Sequence, residues 1–128
     1  MKKLIRKVIT LTLLMMVCLP TKVKAEEILN IKATAYCYNS GTTATGTIPK
    51  EGRTLAGKRE WFGKIACVWE DKGNGIEPEN FIGSFIVEDT GGEPIRKGYV
   101  VDVFIEDYEE AKKFGSKNVI VVLIDAKG

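Results

Sequence analysis

The chain has 128 residues, with 19 Lys and Arg, 17 Asp and Glu, three Cys and no His. Without histidine there is no Ser-His-Asp triad, no Cys-His pair, no His-bearing zinc site and no imidazole base, so acid-base chemistry falls to carboxylates, Lys, Tyr or Cys. The length fits one domain, and 45% hydrophobic with 28% charged residues is the balance of a folded soluble protein.

Met1 to Lys7 carries four cations and no acid, and Val8 to Pro20 is uncharged and mostly apolar. TKVKA follows, with Val23 and Ala25 at the small-residue positions before a cut. This is the pattern of a secretory signal peptide over residues 1–25, cleaved before Glu26. The alternative, an uncleaved anchor, needs about 20 apolar residues to span a bilayer, and this run is shorter. Cys18 is read as part of the apolar run. Cleavage removes six cations and no acid, leaving 13 Lys and Arg against 17 Asp and Glu, a net charge of −4. No basic stripe with interleaved aromatics remains, so a nucleic-acid partner is not expected. The mature protein is expected to be secreted, with no stable membrane anchor.

Residues 26–31 are read as a short lead and 32–126 as the domain. Ile28 to Tyr38 is rich in β-branched and aromatic residues and predicts a strand; Asn39 to Arg53, full of Gly, Thr and Pro, predicts a loop. Within it GTTATG lacks the Lys and helix of a phosphate loop and reads as a flexible rim. Trp61-Phe62 and Trp69 are either sugar-stacking platforms or core. Lys64 to Trp69 predicts a strand, and Asp71 to Glu79 a turn-rich connection without the ligand order of a calcium loop. Phe81 to Glu88 and Gly98 to Ile105 predict two strands around the loop DTGGEPIRK. Asp107 is a candidate N-cap for a short helix, with Glu110 three residues on, Ala111 and Phe114 on the apolar side and Gly115 as the stop. Asn118 to Ile124 closes the chain as an apolar strand. About six short strands, Gly-rich loops and one late helix predict a mainly β fold, a small closed barrel that hides its strand edges.

Two carboxylates stand out. By strict alternation Asp89 shares its side of the strand with Phe85 and Val87, and Asp102 with Val100 and Phe104. Burial and a neighbouring carboxylate both favour the protonated form, which is what a general acid needs. Asp89 also opens D-T-G-G and suits an Asx-turn, whereas Asp102 lies mid-strand with no turn to serve. Cys37 and Cys67 form either a disulfide, which would contribute about 3–4 kcal/mol, or two separate buried thiols.

The order A-T-A-Y-C (Ala33 to Cys37), T-A-T-G (Thr43 to Gly46), P-K-E-G-R-T (Pro49 to Thr54), E-D-T-G-G (Glu88 to Gly92), V-D-V-F (Val101 to Phe104) and E-A-x-x-F-G (Glu110 to Gly115) resembles the three-aspartate domain family. Members of that family are six-stranded double-psi β-barrels, found in lytic transglycosylases of the membrane-bound type A and in small secreted lytic enzymes of spore-forming bacteria; expansins share the fold. The resemblance implies a peptidoglycan-active enzyme with Asp102 as catalytic acid and base, supported by Asp89. It implies substrate contacts from Tyr36, Thr45, Gly46, Thr90 and Gly91. Lys58 stands at the place of the family's first aspartate and is expected to bind a substrate carboxylate or to pair with Asp89. No metal or cofactor is expected, and the protein is expected to be a monomer in the cell wall. The alternative is an expansin-like module that binds glycan without cutting it.

Overall fold

The computed structural model describes residues 25–37 and 41–126. The predicted leader up to residue 24, Tyr38 and the start of the following loop lie outside them. Six strands form: β1 (Ala25–Tyr36), β2 (Thr54–Ala56), β3 (Ile65–Glu70), β4 (Phe81–Asp89), β5 (Val100–Phe104) and β6 (Lys117–Ile124). They close into a barrel in the order β1-β5-β2-β4-β3-β6. The β1/β5 and β2/β4 pairs are parallel and the other four antiparallel. Advancing every strand by three maps this set of pairings onto itself, so the barrel has two like halves. Each half contributes one parallel pair.

The predicted strands all form, with shifted ends. β1 starts at Ala25, and residues 26–31, expected as a lead, pair with β6 instead: Glu27 lies opposite Leu123 and Ile31 opposite Val119. Lys64 forms an ion pair with Glu26, tying the start of β1 to the entry of β3. Sequence reading assigned no strand to 54–56. β2 is only three residues long, too short to display a period, and its Thr54, Leu55 and Ala56 are all buried because the strand is sandwiched between β4 and β5, Leu55 and Ala56 pairing on both sides and Thr54 with β4. DTGGEPIRK, expected as loop, holds one helical turn, α1 (Glu93–Arg96). The predicted helix is α2 (Tyr108–Phe114). Asp107 caps it by accepting a hydrogen bond from the Glu109 amide, 2.8 Å, while Glu110 turns to Lys113 rather than closing a capping box. Gly115 ends it at φ 64°, a backbone conformation that a side chain disfavours.

Alternate residues of the strands fill the interior: Ala33, Leu55, Ala66, Val68, Phe85, Val87, Val101, Val103, Val119, Val121 and Leu123, joined by Trp61 from the turn after β2. Complete burial of a Val or Leu of this kind contributes about 1.5–3 kcal/mol. A second apolar layer covers the other face of β3 and β6, where Cys67, Trp69, Ile120 and Ile124 pack under Ile76. Both Trp61 and Trp69 are therefore core residues, 7% and 4% exposed, and neither offers a free sugar platform.

Candidate functional site

The site lies on the barrel face that turns away from this core. On β5, Val101 and Val103 point inward, so Asp102 projects outward with Val100 and Phe104. Alternation predicted these neighbours correctly. Asp102 pairs with Thr34 of β1 on one side and with Ala56 of β2 on the other. Ala56 in turn pairs with Asp89 of β4. One line of residues thus crosses four strands as Thr34, Asp102, Ala56 and Asp89. Adjacent strands are about 4.8 Å apart, so the two aspartate backbones stand roughly 10 Å from each other with a methyl group between them.

Asp89 reaches that line through an irregularity the sequence does not announce. Leu55 pairs with Val87 and Ala56 with Asp89, which leaves Glu88 as an extra residue, a β-bulge. Unbroken alternation would have aimed Asp89 inward beside Phe85 and Val87. The bulge corrects that expectation, turning Asp89 to the outer face and leaving the carboxylate of Glu88 buried. There it accepts hydrogen bonds from Thr54 Oγ1 (2.5 Å) and Arg53 Nε (3.0 Å).

Asp89 accepts three hydrogen bonds: from Tyr36 Oη (2.8 Å), the Ala44 amide (3.0 Å) and the Thr90 amide (2.9 Å). Asp89 does bond its own loop, but through the amide of the next residue rather than the one two residues on that would define an Asx-turn, and it also ties β1 and the Ala44 turn to the end of β4. The Tyr36 ring spans from β1 towards β4 and meets Phe104 edge to face at 5.5 Å. Burial, the hydrogen bond to Asp89, and the charges of Asp89, Asp102 and Glu88 all push the Tyr36 hydroxyl far above its ordinary pKa, so it stays a proton donor. Asp102 is half-buried and accepts a hydrogen bond from Thr34 Oγ1 at 2.9 Å. Burial raises its pKa above the ordinary carboxylate value, the Thr34 hydrogen bond opposes that rise, and the charge of Asp89 adds to it. The outcome is a carboxyl group that holds its proton more tightly than a solvated aspartate.

Other residues implied by the resemblance group unevenly. Thr45 folds over the end of β4, its amide and hydroxyl both bonding to the Glu88 carbonyl (3.2 and 2.9 Å). Gly46 closes the turn through Thr43 O at 2.9 Å. The segment expected as a flexible rim is thus pinned to the bulge by named hydrogen bonds. The Thr90 hydroxyl is buried and has no hydrogen-bond partner among the described residues. Gly91 packs on the other side, against Ile95 of α1. Lys58 follows Gly57, whose amide bonds to Asp89 O, but its ammonium meets Glu60 at 3.6 Å and forms no ion pair with Asp89. Cys37 and Cys67 are both free. Cys37 Sγ lies against Glu106 O and Cys67 Sγ against Ser84 Oγ, in different parts of the barrel, so the two are separate thiols, of which Cys67 is buried and Cys37 only half-buried. Sequence reading missed Thr34, Ala56 and Glu88. Thr34 was reachable, since it lies two residues before Tyr36 and so on the same face, whereas Ala56 and Glu88 depend on β2 and the bulge.

Along the aspartate line Thr34, Asp102 and Asp89 are half-buried and Ala56 is buried. A cavity of about 490 Å³ lies beneath α2, between Phe104 and Phe114, and another of about 530 Å³ lies at the start of β5 around Tyr99. Neither is lined by Asp89 or Asp102. Among the described residues no group of three or more His, Cys, Asp or Glu is arranged to hold a metal ion.

No family model matches the chain, and no curated protein matches it. Solved structures do match. The Streptomyces papain inhibitor aligns with a TM-score of 0.52 at 18% identity, over 81% of this chain and 99% of that one. MltA from E. coli aligns with a TM-score of 0.47 at 17% identity, over 70% of this chain and 29% of its own length. The first of these likenesses, together with the closed six-strand topology, makes the chain a small double-psi β-barrel. At such identities the relation is one of fold.

Proposed function

We propose that this protein is an exported, monomeric cell-wall enzyme that cleaves the glycan strand of peptidoglycan by lytic transglycosylation, with Asp102 as its acid and base. The observation that carries the reading is the environment of Asp102: a half-buried carboxyl, oriented by Thr34 and held towards its protonated form by burial and by Asp89. The motif resemblance supplies the substrate.

In this reaction protonated Asp102 gives its proton to the oxygen joining N-acetylmuramic acid to N-acetylglucosamine, and that C–O bond breaks with its electron pair on the leaving oxygen. The resulting Asp102 carboxylate takes the proton of the muramic acid 6-hydroxyl as this oxygen bonds to the anomeric carbon. The product is a 1,6-anhydro sugar and water is not consumed, so the second carboxylate that ordinary glycosidases use as nucleophile or base is not required. Asp89, fixed by Tyr36 and two amides, serves instead to raise the proton affinity of Asp102 and to present negative charge near a sugar ring that becomes positive.

Mass spectrometry of digested murein tests this directly. Anhydromuropeptides are expected from the wild type and not from Asp102→Asn. Asp89→Asn is near-isosteric, its one oxygen remaining for the Ala44 and Thr90 amides while its NH2 faces the Tyr36 hydroxyl, and it removes the charge that adds to the rise burial gives the Asp102 pKa. Asp102 must be protonated at the start of the cycle, so its alkaline activity limit is expected to move to lower pH in this variant. An unchanged limit in a pH-rate profile would show that Asp89 does not act on Asp102.

The second reading, a glycan-binding module without cleavage, is favoured by Lys58 at the place of the family's first aspartate. It predicts that the protein sediments with murein and releases no anhydro product.

A further inference from the structure

Tyr99 has no part in the site described so far, yet it is 66% exposed beside the cavity of about 530 Å³, which Asn30, Lys32, Asp71 and Asn118 also line. The side chains of Asn30, Asn118, Lys32 and Tyr99 have no hydrogen-bond or ion-pair partner among the described residues. A surface tyrosine ring, two free amides and an unpaired ammonium therefore face one hollow.

Register fixes where this hollow lies relative to Asp102. Lys32 pairs with Val100 and Thr34 pairs with Asp102. Lys32 and Thr34 are one same-face step apart on β1, as are Val100 and Asp102 on β5, and such a step is about 7 Å. Through Lys32 and Val100 the cavity thus adjoins the aspartate line one same-face step along the two strands, while Tyr99, Ile31 and Val119, which alternate with them, carry it round the end of the barrel. A linear ligand lying along β1 and β5 over Asp102 reaches its Lys32 edge.

Its chemistry is selective. An exposed aromatic face stacks on the C–H face of a pyranose while the phenol hydroxyl remains wet. Free carboxamides pair with hydroxyl or acetamido groups, offering both donors and acceptors. The Lys32 ammonium adds a cation for a carboxylate, while the Asp71 carboxylate, which accepts a hydrogen bond from the Gly73 amide at 2.9 Å, is an acceptor for sugar hydroxyls.

We infer that the Tyr99 cavity is a second saccharide subsite, binding a carboxylate-bearing N-acetylated amino sugar of the same strand whose glycosidic bond lies at Asp102. This rests on the assignment of Asp102 to glycan chemistry, and binding can be read separately from cleavage. The full chain carrying Asp102→Asn is titrated calorimetrically with three probes: a peptide-free murein disaccharide, the corresponding tetrasaccharide with free lactyl carboxylates, and chitotetraose, which has none. Tyr99→Ala in that background is expected to weaken the tetrasaccharide about tenfold, equivalent to about 1.4 kcal/mol, and to leave the disaccharide unchanged. Lys32→Gln is expected to weaken the murein tetrasaccharide and not chitotetraose. Both side chains are exposed, and unchanged melting temperatures confirm that the variants fold.

If Tyr99→Ala binds the tetrasaccharide as its parent does while the wild type releases anhydro product, the subsite is wrong and the Asp102 assignment stands. Tyr99-dependent binding without any cleavage by the wild type supports the subsite and overturns the catalytic reading. No binding of any probe overturns both.

Discussion

Replacing Asp102 with Asn is expected to lower the release of anhydromuropeptides by 10²- to 10⁴-fold, the usual contribution of a positioned general acid and equivalent to about 3–5 kcal/mol in the barrier. The isosteric amide keeps the acceptor for Thr34 and removes only the proton that must be delivered. The same substitution has an opposite effect on stability. The folded-state pKa of Asp102 is raised, chiefly by burial, so its contribution to stability is fully present below the unfolded value of about 3.9 and is lost as the pH rises through the folded value. Asn never ionises and escapes that loss. The variant should therefore melt above the wild type at neutral pH and close to it below about pH 4. Faster or equal cleavage by the variant would remove Asp102 from the chemistry. A lower melting temperature at neutral pH would show that the carboxylate stabilises the fold instead.

Trp61→Ala should cost about 3–5 kcal/mol, as large aromatic truncations in cores do. Its indole lies where two glycines make room: a Cβ on Gly57 would stand 3.1 Å from Trp61 Cε3, and one on Gly98 would stand 3.1 Å from Cη2. These glycines follow β2 and precede β5, the strands that carry Ala56 and Asp102, so the indole props the aspartate line from inside. Gly98 also has φ 81°, which independently favours glycine there. With the total stability of such domains near 5–15 kcal/mol, the loss leaves a marginal fold, and a fall in Tm of about 12–25 °C is expected. Trp69, the other tryptophan, remains to report unfolding by fluorescence. Trp61→Phe should recover most of the loss. A small change in the alanine variant would mean that the site does not depend on this packing. In contrast to Asp102→Asn, the damage to activity should shrink on cooling, because it acts through the folded population.

Five strands, the helix and its Asp107 cap were legible in the sequence because each is long enough to show a period or carries a local signal. β2 was not. At three residues its burial comes entirely from β4 and β5, strands distant in sequence. The same holds for the site. Asp102 could be placed because β5 alternates without interruption, and Thr34 could have been found by the same parity. Asp89 was named for the right motif and assigned to the wrong face, since a single extra residue at Glu88 reverses alternation and leaves no compositional trace. Cys37 and Cys67 show the same limit, for a spacing cannot reveal that two thiols face different partners.

What the amino-acid sequence determined by itself is whatever rests on residue type and local order: the exclusion of histidine-based chemistry, a mainly β chain, and Asp102 on the strand face opposite Val101 and Val103. The tertiary structure alone decided which groups meet. Closing the barrel set Thr34, Asp102, Ala56 and Asp89 in one line across four strands, and it put Tyr36 on Asp89 across 53 residues of sequence. The proton affinity of Asp102 follows from that closure, because burial and a neighbouring charge are properties of the assembled face and not of any segment within it.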